Sequence, residues 1–474
     1  MILRRITDSI THTVEDAIDG VSSALFDPVI RVGVTGLSRA GKTLFITSLV
    51  ANLLERSRMP QLKSAAEGRI LAAYLQPHPD HKMPRFAFED HMAALTAVDP
   101  VWPESTRSIS TVRVSLKVQP TGLLNGITGP SQIHIDIVDY PGEWLLDLPL
   151  MSQSYAEWSA ATLDKAMTPG LAEHSSGFRD LLGQTDPAAP LNEMNANRLA
   201  DAFKGYLAAS REAGFSSMAP GRFLMPGDLE GSPALTFSPL PKAGKSGGGS
   251  LWRTFEKRFD SYKRVVIEPF FRNHFARFDR QVVLVDTLGA IHDGPRAVED
   301  LRTALAEILT CFRPGRNSWL APILGKRIDR ILFAATKCDH LHHTQHARLA
   351  AITEALVRDA RDRARFRGAK TEAMAIASIR ATVEQSVERN GETIKVVRGR
   401  LQDTGKSAAL FPGNLPENPS DILNPARMRE GDWSDAAYSV TKFAPPILDL
   451  TPGEAPPHIR LDRAAEFLIG DRLT

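Results

Sequence analysis

Apolar residues recur along this chain with two different periods, and the alternation between them predicts its architecture. Near the amino terminus Ile2, Ile6, Ile10, Val14, Ile18, Val21 and Leu25 fall at helical spacing, which predicts an amphipathic helix over residues 1–28. A β-branched run over 29–35 then stops at a glycine-rich turn and gives way to the apolar stretch 44–50, the pattern of strand, loop and helix. Residues 59–106 carry prolines at 60, 77, 79, 84, 100 and 103 and read as an extended, irregular connection, with a helical pattern only around 89–96. Alternating positions over 109–118 and, more weakly, 133–138 predict a strand pair joined by a glycine-containing turn.

Beyond position 139 the period changes. Helical patterns over 155–167 and 191–213, a proline- and glycine-rich passage over 219–250, and an aromatic and basic helical stretch over 251–280 predict a helical insertion at 144–280. Strand character returns at 281–286, 330–336 and 373–378, separated by helices at 296–312 and 346–365. Apolar strands alternating with helices imply an α/β fold whose mainly parallel sheet is covered on both faces. On this reading the sheet is built from two pieces, 29–143 and 281–385, and is followed by a carboxyl-terminal extension at 386–474. The extension carries one β-like run at 393–397 and a terminal helical pattern at 459–473.

Composition narrows the class without changing the architecture. The chain has 474 residues, enough for one large domain with insertions or for two to three ordinary ones. Its 57 Lys and Arg residues face 55 Asp and Glu residues, so no global basic field nominates a specific nucleic-acid partner. Cys311 and Cys338 fall in a predicted helix and at a strand end, which argues against a disulfide framework or a cysteine metal site. No apolar run reaches the roughly 20 residues needed to cross a bilayer. The expected location is the cytoplasm, at most peripheral to a membrane through the first helix.

The chemistry is carried by short motifs at strand ends. Gly36-Leu37-Ser38-Arg39-Ala40-Gly41-Lys42-Thr43 matches the phosphate-loop pattern, directly after a strand and opening a helix. There the backbone amides of residues such as Ser38, Arg39, Ala40 and Leu44 point at phosphate at the positive end of the helix dipole. Lys42 would reach the β- and γ-phosphates and Thr43 would ligate Mg²⁺. Asp139-Tyr140-Pro141-Gly142 ends the next strand, where Asp139 would hold Mg²⁺ through water and the Gly142 amide would contact the γ-phosphate. Thr336-Lys337-Cys338-Asp339 ends a later strand. The Asp339 carboxylate accepts from guanine N1 and N2, which adenine does not offer, while Lys337 lies along the base. Ser378 and Ile379 resemble the loop whose amide meets the guanine carbonyl. Thr106, or Ser108 in its place, sits where a first switch offers a hydroxyl to Mg²⁺ and the γ-phosphate. Glu143 takes the water-orienting position and adds negative charge there, which implies slow hydrolysis; Arg39, Arg107 and Arg113 are the candidates for an internal arginine finger. GTP or GDP with Mg²⁺ is therefore the expected ligand. An ATPase and a scaffold that retains nucleotide without turnover are the alternatives. Two further features stand outside the motif: Asp286-Thr287-Leu288-Gly289, which also follows a strand, and the histidines His340, His342, His343 and His346, which read as a surface turn.

Together with Tyr140-Pro141-Gly142-Glu143-Trp144, Val285-Asp286-Thr287-Leu288-Gly289-Ala290, residues 377–382 and Phe411-Pro412-Gly413-Asn414-Leu415-Pro416, these motifs resemble those of the YcjX-like family of bacterial P-loop proteins over nearly the whole chain. The resemblance implies a Ras-like nucleotide domain interrupted by a helical insertion and a role in stress response. It also implies a partnership with a YcjF-type inner-membrane protein, hence a cytoplasmic location peripheral to the inner membrane.

Overall fold

The computed structural model describes residues 27–474 apart from 38–39, 82, 105–107, 122–128, 243, 245–246, 311–327, 367, 390, 429–437 and 439. Of the expectations above, the helix at 1–28 except its last two residues, Ser38, Arg39, Thr106, Arg107 and Cys311 lie outside the described residues.

Ten strands and the helices of six or more residues are numbered in chain order. The first part runs β1 (Val29–Gly36), α1 (Lys42–Glu55), β2 (Ile70–Gln76), α2 (Phe88–Leu95), β3 (Ser110–Val118) and β4 (Ser131–Asp139). A 3₁₀ run (Gly142–Ser152) leads into α3 (Tyr155–Ala166), α4 (Ser176–Gly183), α5 (Glu193–Glu212), α6 (Leu251–Tyr262) and α7 (Glu268–Asn273). Then follow β5 (Arg280–Val285), α8 (Thr287–His292), α9 (Pro295–Thr310), β6 (Arg330–Ala335), α10 (His346–Leu356), α11 (Arg358–Phe366) and β7 (Lys370–Ala375). The chain ends with β8 (Thr382–Arg389), β9 (Glu392–Arg400), β10 (Ser407–Leu410), α12 (Ser420–Met428) and α13 (Leu461–Ile469).

The main sheet has the order β2-β3-β4-β1-β5-β6-β7. β1 pairs in parallel with β4 and β5, and β5, β6 and β7 continue in parallel, while β3 and β2 run antiparallel at one edge. This is the mainly parallel Ras-like sheet anticipated from the sequence, with β2 as an added edge strand. The chain leaves β1 in one direction to reach β4 and in the other to reach β5. The crevice at the carboxyl ends of these strands is therefore a topological switch point, where such sheets take their ligand.

Period-two alternation sorts each central strand between two cores. Val282 and Leu284 face one, with α1; Val283 and Val285 face the other, with α5, α6, α9 and α10. The aromatic stretch of the insertion resolves as core: Trp252, Phe255, Phe259, Tyr262, Phe270, Phe271, Phe275 and Phe278 are all buried. The helices there are punctuated by caps legible in sequence, Ser154 with Glu157 as a capping box, Asn192 before α5 and Ser250 before α6.

Three details differ from the sequence pattern. Residues 59–106, expected to be irregular apart from the helical pattern at 89–96 that forms α2, also contain a short helix and the edge strand β2. The helix expected over 346–365 is two, α10 and α11, meeting at Val357. The small antiparallel sheet β10-β9-β8 is an excursion between β7 and α13; Leu461, Ala464, Ala465, Leu468 and Ile469 of α13 return to the core that holds α1.

Candidate nucleotide-binding site

The turn between β1 and α1 is built by its glycines and lysine. Gly41 adopts φ +80°, the left-handed conformation that a side chain resists, and so opens α1 without closing the loop. Lys42 folds back across the loop and its Nζ donates to the Gly36 carbonyl at 2.8 Å. Thr43 Oγ1 donates to the Glu104 carbonyl at 3.2 Å, so the chain just ahead of Thr106 lies against the first turn of α1. On the neighbouring strand Asp139 is paired beside Val34 and is 2 % exposed. Gly142 follows in direct contact with the loop: a Cβ there would stand 2.2 Å from the Gly36 carbonyl oxygen, so only glycine fits.

A cleft of about 420 Å³ opens beside this turn and is bordered by Ala40, Gly41, Lys42, Thr43 and Leu44, by Thr336, Lys337 and Asp339, and by Ser378 and Ile379. Three motifs far apart in sequence thus meet at one crevice. The Asp339 carboxylate is held by Ala381, whose amide donates to Oδ2 at 2.8 Å, and the Thr382 hydroxyl donates to the Asp339 carbonyl. Lys337 takes φ +59° and pairs with Asp286, which also caps α8 by accepting from the Gly289 amide at 3.0 Å. The second aspartate motif therefore braces the 336–339 loop. The Ser48 hydroxyl of α1 donates to the Ser378 carbonyl, tying the last loop to the phosphate-loop helix. Burial drives the Cys338 thiol well above its usual range and lowers His340 below the ordinary histidine value.

The outer wall of the cleft comes from residues that no motif announced. Trp102, Pro103 and Glu104 form one side; Gln402, Lys442 and Phe443 form the other. Trp102 Nε1 donates to the Phe443 carbonyl at 2.8 Å, and the Phe443 ring meets His340 edge-on at 5.0 Å. No local pattern distinguishes these side chains, because their position depends on the small sheet folding back over the cleft.

On the other flank, Glu143 is buried and paired with Arg211 of α5, Nη2 to Oε1 at 2.8 Å. Both border a cavity of about 400 Å³ that also touches Leu37, Ala40 and Asp286. Of the arginines expected near the phosphates, Arg39, Arg107 and Arg113, only Arg113 lies among the described residues; Arg211, beside Glu143, was not among them. Arg113 is buried in a two-pronged pair with Asp136, at 2.6 and 2.8 Å, within the β3–β4 ladder. The 3₁₀ run after Gly142 is gripped throughout by the insertion. Asp147 accepts from the Gly221 and Arg222 amides at 2.6 and 3.1 Å and from the Tyr262 hydroxyl at 2.6 Å. Trp144 Nε1 donates to the Met225 carbonyl at 3.0 Å, and the Arg222 guanidinium lies 3.2 Å above its ring. Full burial raises the Asp147 carboxyl to about 6 despite those hydrogen bonds.

Among the described residues no helix is long and apolar enough to cross a membrane. The sequence model of the YcjX-like family, DUF463, matches residues 30–473. The chain is 37 % identical over 463 residues to the Ras-like GTPase YcjX of Escherichia coli, covering 94 % of this chain and 96 % of that protein. It is 36 % identical over 471 residues to the Ras-like GTPase YcjX of Shewanella oneidensis, covering 94 % and 95 %. With the phosphate loop and the 336–339 loop at one crevice, Gly142 in contact with Gly36, and the match running almost from end to end, the chain belongs to the YcjX-like family.

Proposed function

We propose that this protein binds GTP and GDP in the cleft, hydrolyses GTP slowly, and uses the change in phosphate number to move its helical insertion. The observation that carries this reading is the opening of Asp339 onto the same crevice as Gly41, Lys42, Thr43 and Leu44. A carboxylate there accepts two hydrogen bonds from guanine, N1–H and N2–H, whereas adenine presents the N1 acceptor and a C2–H in their place. The names of the two relatives, each a Ras-like GTPase, support the same choice.

The donors fit Mg²⁺: a threonine hydroxyl at the first turn of α1 and a buried carboxylate at the end of β4 are hard oxygen ligands. Thr43 and Asp139 would hold the ion, Thr106 taking the remaining place expected of the first switch; the ion would neutralise charge on the phosphates. Lys42 would turn from the Gly36 carbonyl to the phosphate oxygens. Glu143 and Arg211 supply the reason for slow turnover. The group in the water-orienting position is committed to a buried ion pair, and a γ-phosphate arriving beside it competes with Glu143 for the guanidinium.

Calorimetry with GTP, GDP and ATP tests the base. Asp339→Ala removes two charge-assisted bonds at about 1.5–3 kcal/mol each, so GTP and GDP affinity should fall about a hundredfold or more with ATP unaffected. Equal affinity of the wild type for ATP and GTP would sink the guanine reading. Phosphate release over hours should be seen in the wild type and be absent in Lys42→Ala; equal release by the two would leave a scaffold instead of an enzyme.

A further inference from the structure

The histidines after Asp339, expected to form a surface turn, are in part drawn inward, with His342 8 % and His346 2 % exposed, and those two do not converge as an i, i+4 pair. His346 is buried, with Nε2 3.2 Å from the Leu341 carbonyl and Nδ1 3.1 Å from Arg460. His342 and His343 instead converge on Glu384 of β8. His343 Nδ1 lies 2.6 Å and His342 Nε2 3.6 Å from the same Glu384 Oε2, and the ligand atoms of all three residues lie within 4.8 Å of one another. His342 Nδ1 stands 3.0 Å from the Thr344 hydroxyl and accepts from the Thr344 amide at 3.4 Å, which fixes the ring with Nε2 directed at the carboxylate. Glu384 Oε1 is separately fixed by the His343 amide at 3.0 Å.

We propose that His342 Nε2, His343 Nδ1 and the Glu384 carboxylate form a binding site for a divalent ion of the Zn²⁺ class. Two imidazole nitrogens and one carboxylate select such an ion over Mg²⁺, which prefers an all-oxygen shell with several waters. Ligands about 2.0–2.1 Å from a tetrahedral ion stand roughly 3.4 Å from one another, close to the His342–Glu384 separation. The His343–Glu384 contact is a hydrogen bond that opens by under about 1 Å when an ion replaces the shared proton. His343 has room for that movement, its side chain being 63 % exposed, and the same exposure leaves the fourth position to water.

The site joins two segments that already meet at the base loop. Ala381 and Thr382 hold Asp339, and the ion would bridge the same two segments three residues further along each, at 342 and at 384. Its occupancy would therefore stiffen the loop that grips the base, a consequence that rests on the guanine reading above.

The test uses the full chain stripped of metal, titrated with Zn²⁺ against a chromophoric chelator and with Co²⁺ followed by visible absorption. The wild type should take up one ion with the intense absorption of a four-coordinate Co²⁺ site. His342→Ala and Glu384→Gln should bind at least about tenfold more weakly, while His81→Ala, at an exposed turn elsewhere, should match the wild type. Absence of stoichiometric binding, or equal binding by the cluster variants, overturns the site. With fluorescent GDP bound, Zn²⁺ should slow its release by about threefold or more in the wild type and not in Glu384→Gln. Zinc binding with an unchanged rate overturns the stiffening alone. A chain that takes zinc but no GDP overturns the guanine reading and leaves the ion site standing.

Discussion

The pair between Glu143 and Arg211 ties the insertion, through a full charge, to the residue that follows Gly142, and its energy is open to measurement. Removing one partner of a fully buried pair costs about 3–5 kcal/mol, because the other charge is left without compensation. Here the Glu143 side chain is 6 % exposed but Arg211 keeps 21 % and borders a cavity of about 400 Å³. Water entering that space solvates the orphaned carboxylate, so Arg211→Ala should destabilise by about 2 kcal/mol. Glu143→Gln keeps the shape and one acceptor and should cost about 1 kcal/mol. The double variant should lose less than the sum, leaving a coupling of about 1–2 kcal/mol. Urea unfolding read by tryptophan fluorescence reports this directly, since Trp144, Trp158 and Trp252 are buried in the insertion and the run that leads into it.

A coupling within about 0.5 kcal/mol of zero would refute the ion pair as an energetic link. The same variants separate a latch from a phosphate sensor. If Arg211 turns to the γ-phosphate, Arg211→Ala should lower GTP hydrolysis by at least about a hundredfold while GDP affinity stays near wild type. Unchanged hydrolysis alongside a measurable coupling would make the pair a structural latch and refute its part in sensing.

Two other expectations concern the run after Gly142. Gly142→Ala forces a methyl against the Gly36 carbonyl, where a Cβ would stand 2.2 Å away; loss of about 1–3 kcal/mol in stability together with weakened nucleotide binding should show in thermal shifts with and without GDP. The Asp147 carboxyl sits at about 6 in the folded chain against an ordinary value of 3.8, because burial disfavours its charge. A raised carboxyl contributes stability that is fully present below the unfolded value and is lost as pH climbs through the folded one. Relative to Asp147→Asn, the wild type should therefore be about 2 kcal/mol better off at pH ~4.5 than at pH ~7, and a difference that is flat or of opposite sign in urea titrations would contradict the burial argument.

The central sheet was legible because β1, β5 and β6 are buried on both faces and read as continuous apolar runs between turn signals. The motifs were legible because each sits at the carboxyl end of such a strand. β2 escaped because it is a half-exposed edge, with Leu71 51 % and Tyr74 41 % exposed, so its apolar residues follow no single face. Of the small sheet only β9 was legible, through the run at 393–397; β8 escaped because it is mostly polar and β10 because it is short and buries no residue fully. Arg211 carries no local mark: along α5 it resembles Arg198 or Lys204, and only the packing of α5 against the 3₁₀ run brings it to Glu143. Likewise Lys442 and Phe443 reach the cleft because of how the chain returns from β10 to α13, which no periodicity records.

The carboxyl-terminal excursion from the sheet borders the cleft and the insertion borders the neighbouring cavity at Glu143, and the physics of the contacts assigns them different tasks on the proposed reading. A ligand shifts a conformational equilibrium only through contacts that differ between the two states. GTP and GDP present the same base, so Asp339, Phe443 and the small sheet that supports them see no difference between the two and respond only to whether the cleft is filled. The γ-phosphate side is different. Gly142 touches the phosphate loop, and the residues that follow, Glu143 to Leu148, are buried against the 221–224 turn, residues 263–267 and α9, with Arg211 of α5 and Tyr262 of α6 bonded to Glu143 and Asp147. A close-packed segment of that kind does not shift alone, because interiors at this density repack in concert. Any displacement of Gly142 by a γ-phosphate must therefore be passed through Asp147 and Trp144 into the insertion. On the proposed reading, then, the insertion would report which nucleotide is bound and the carboxyl-terminal arm would hold it there.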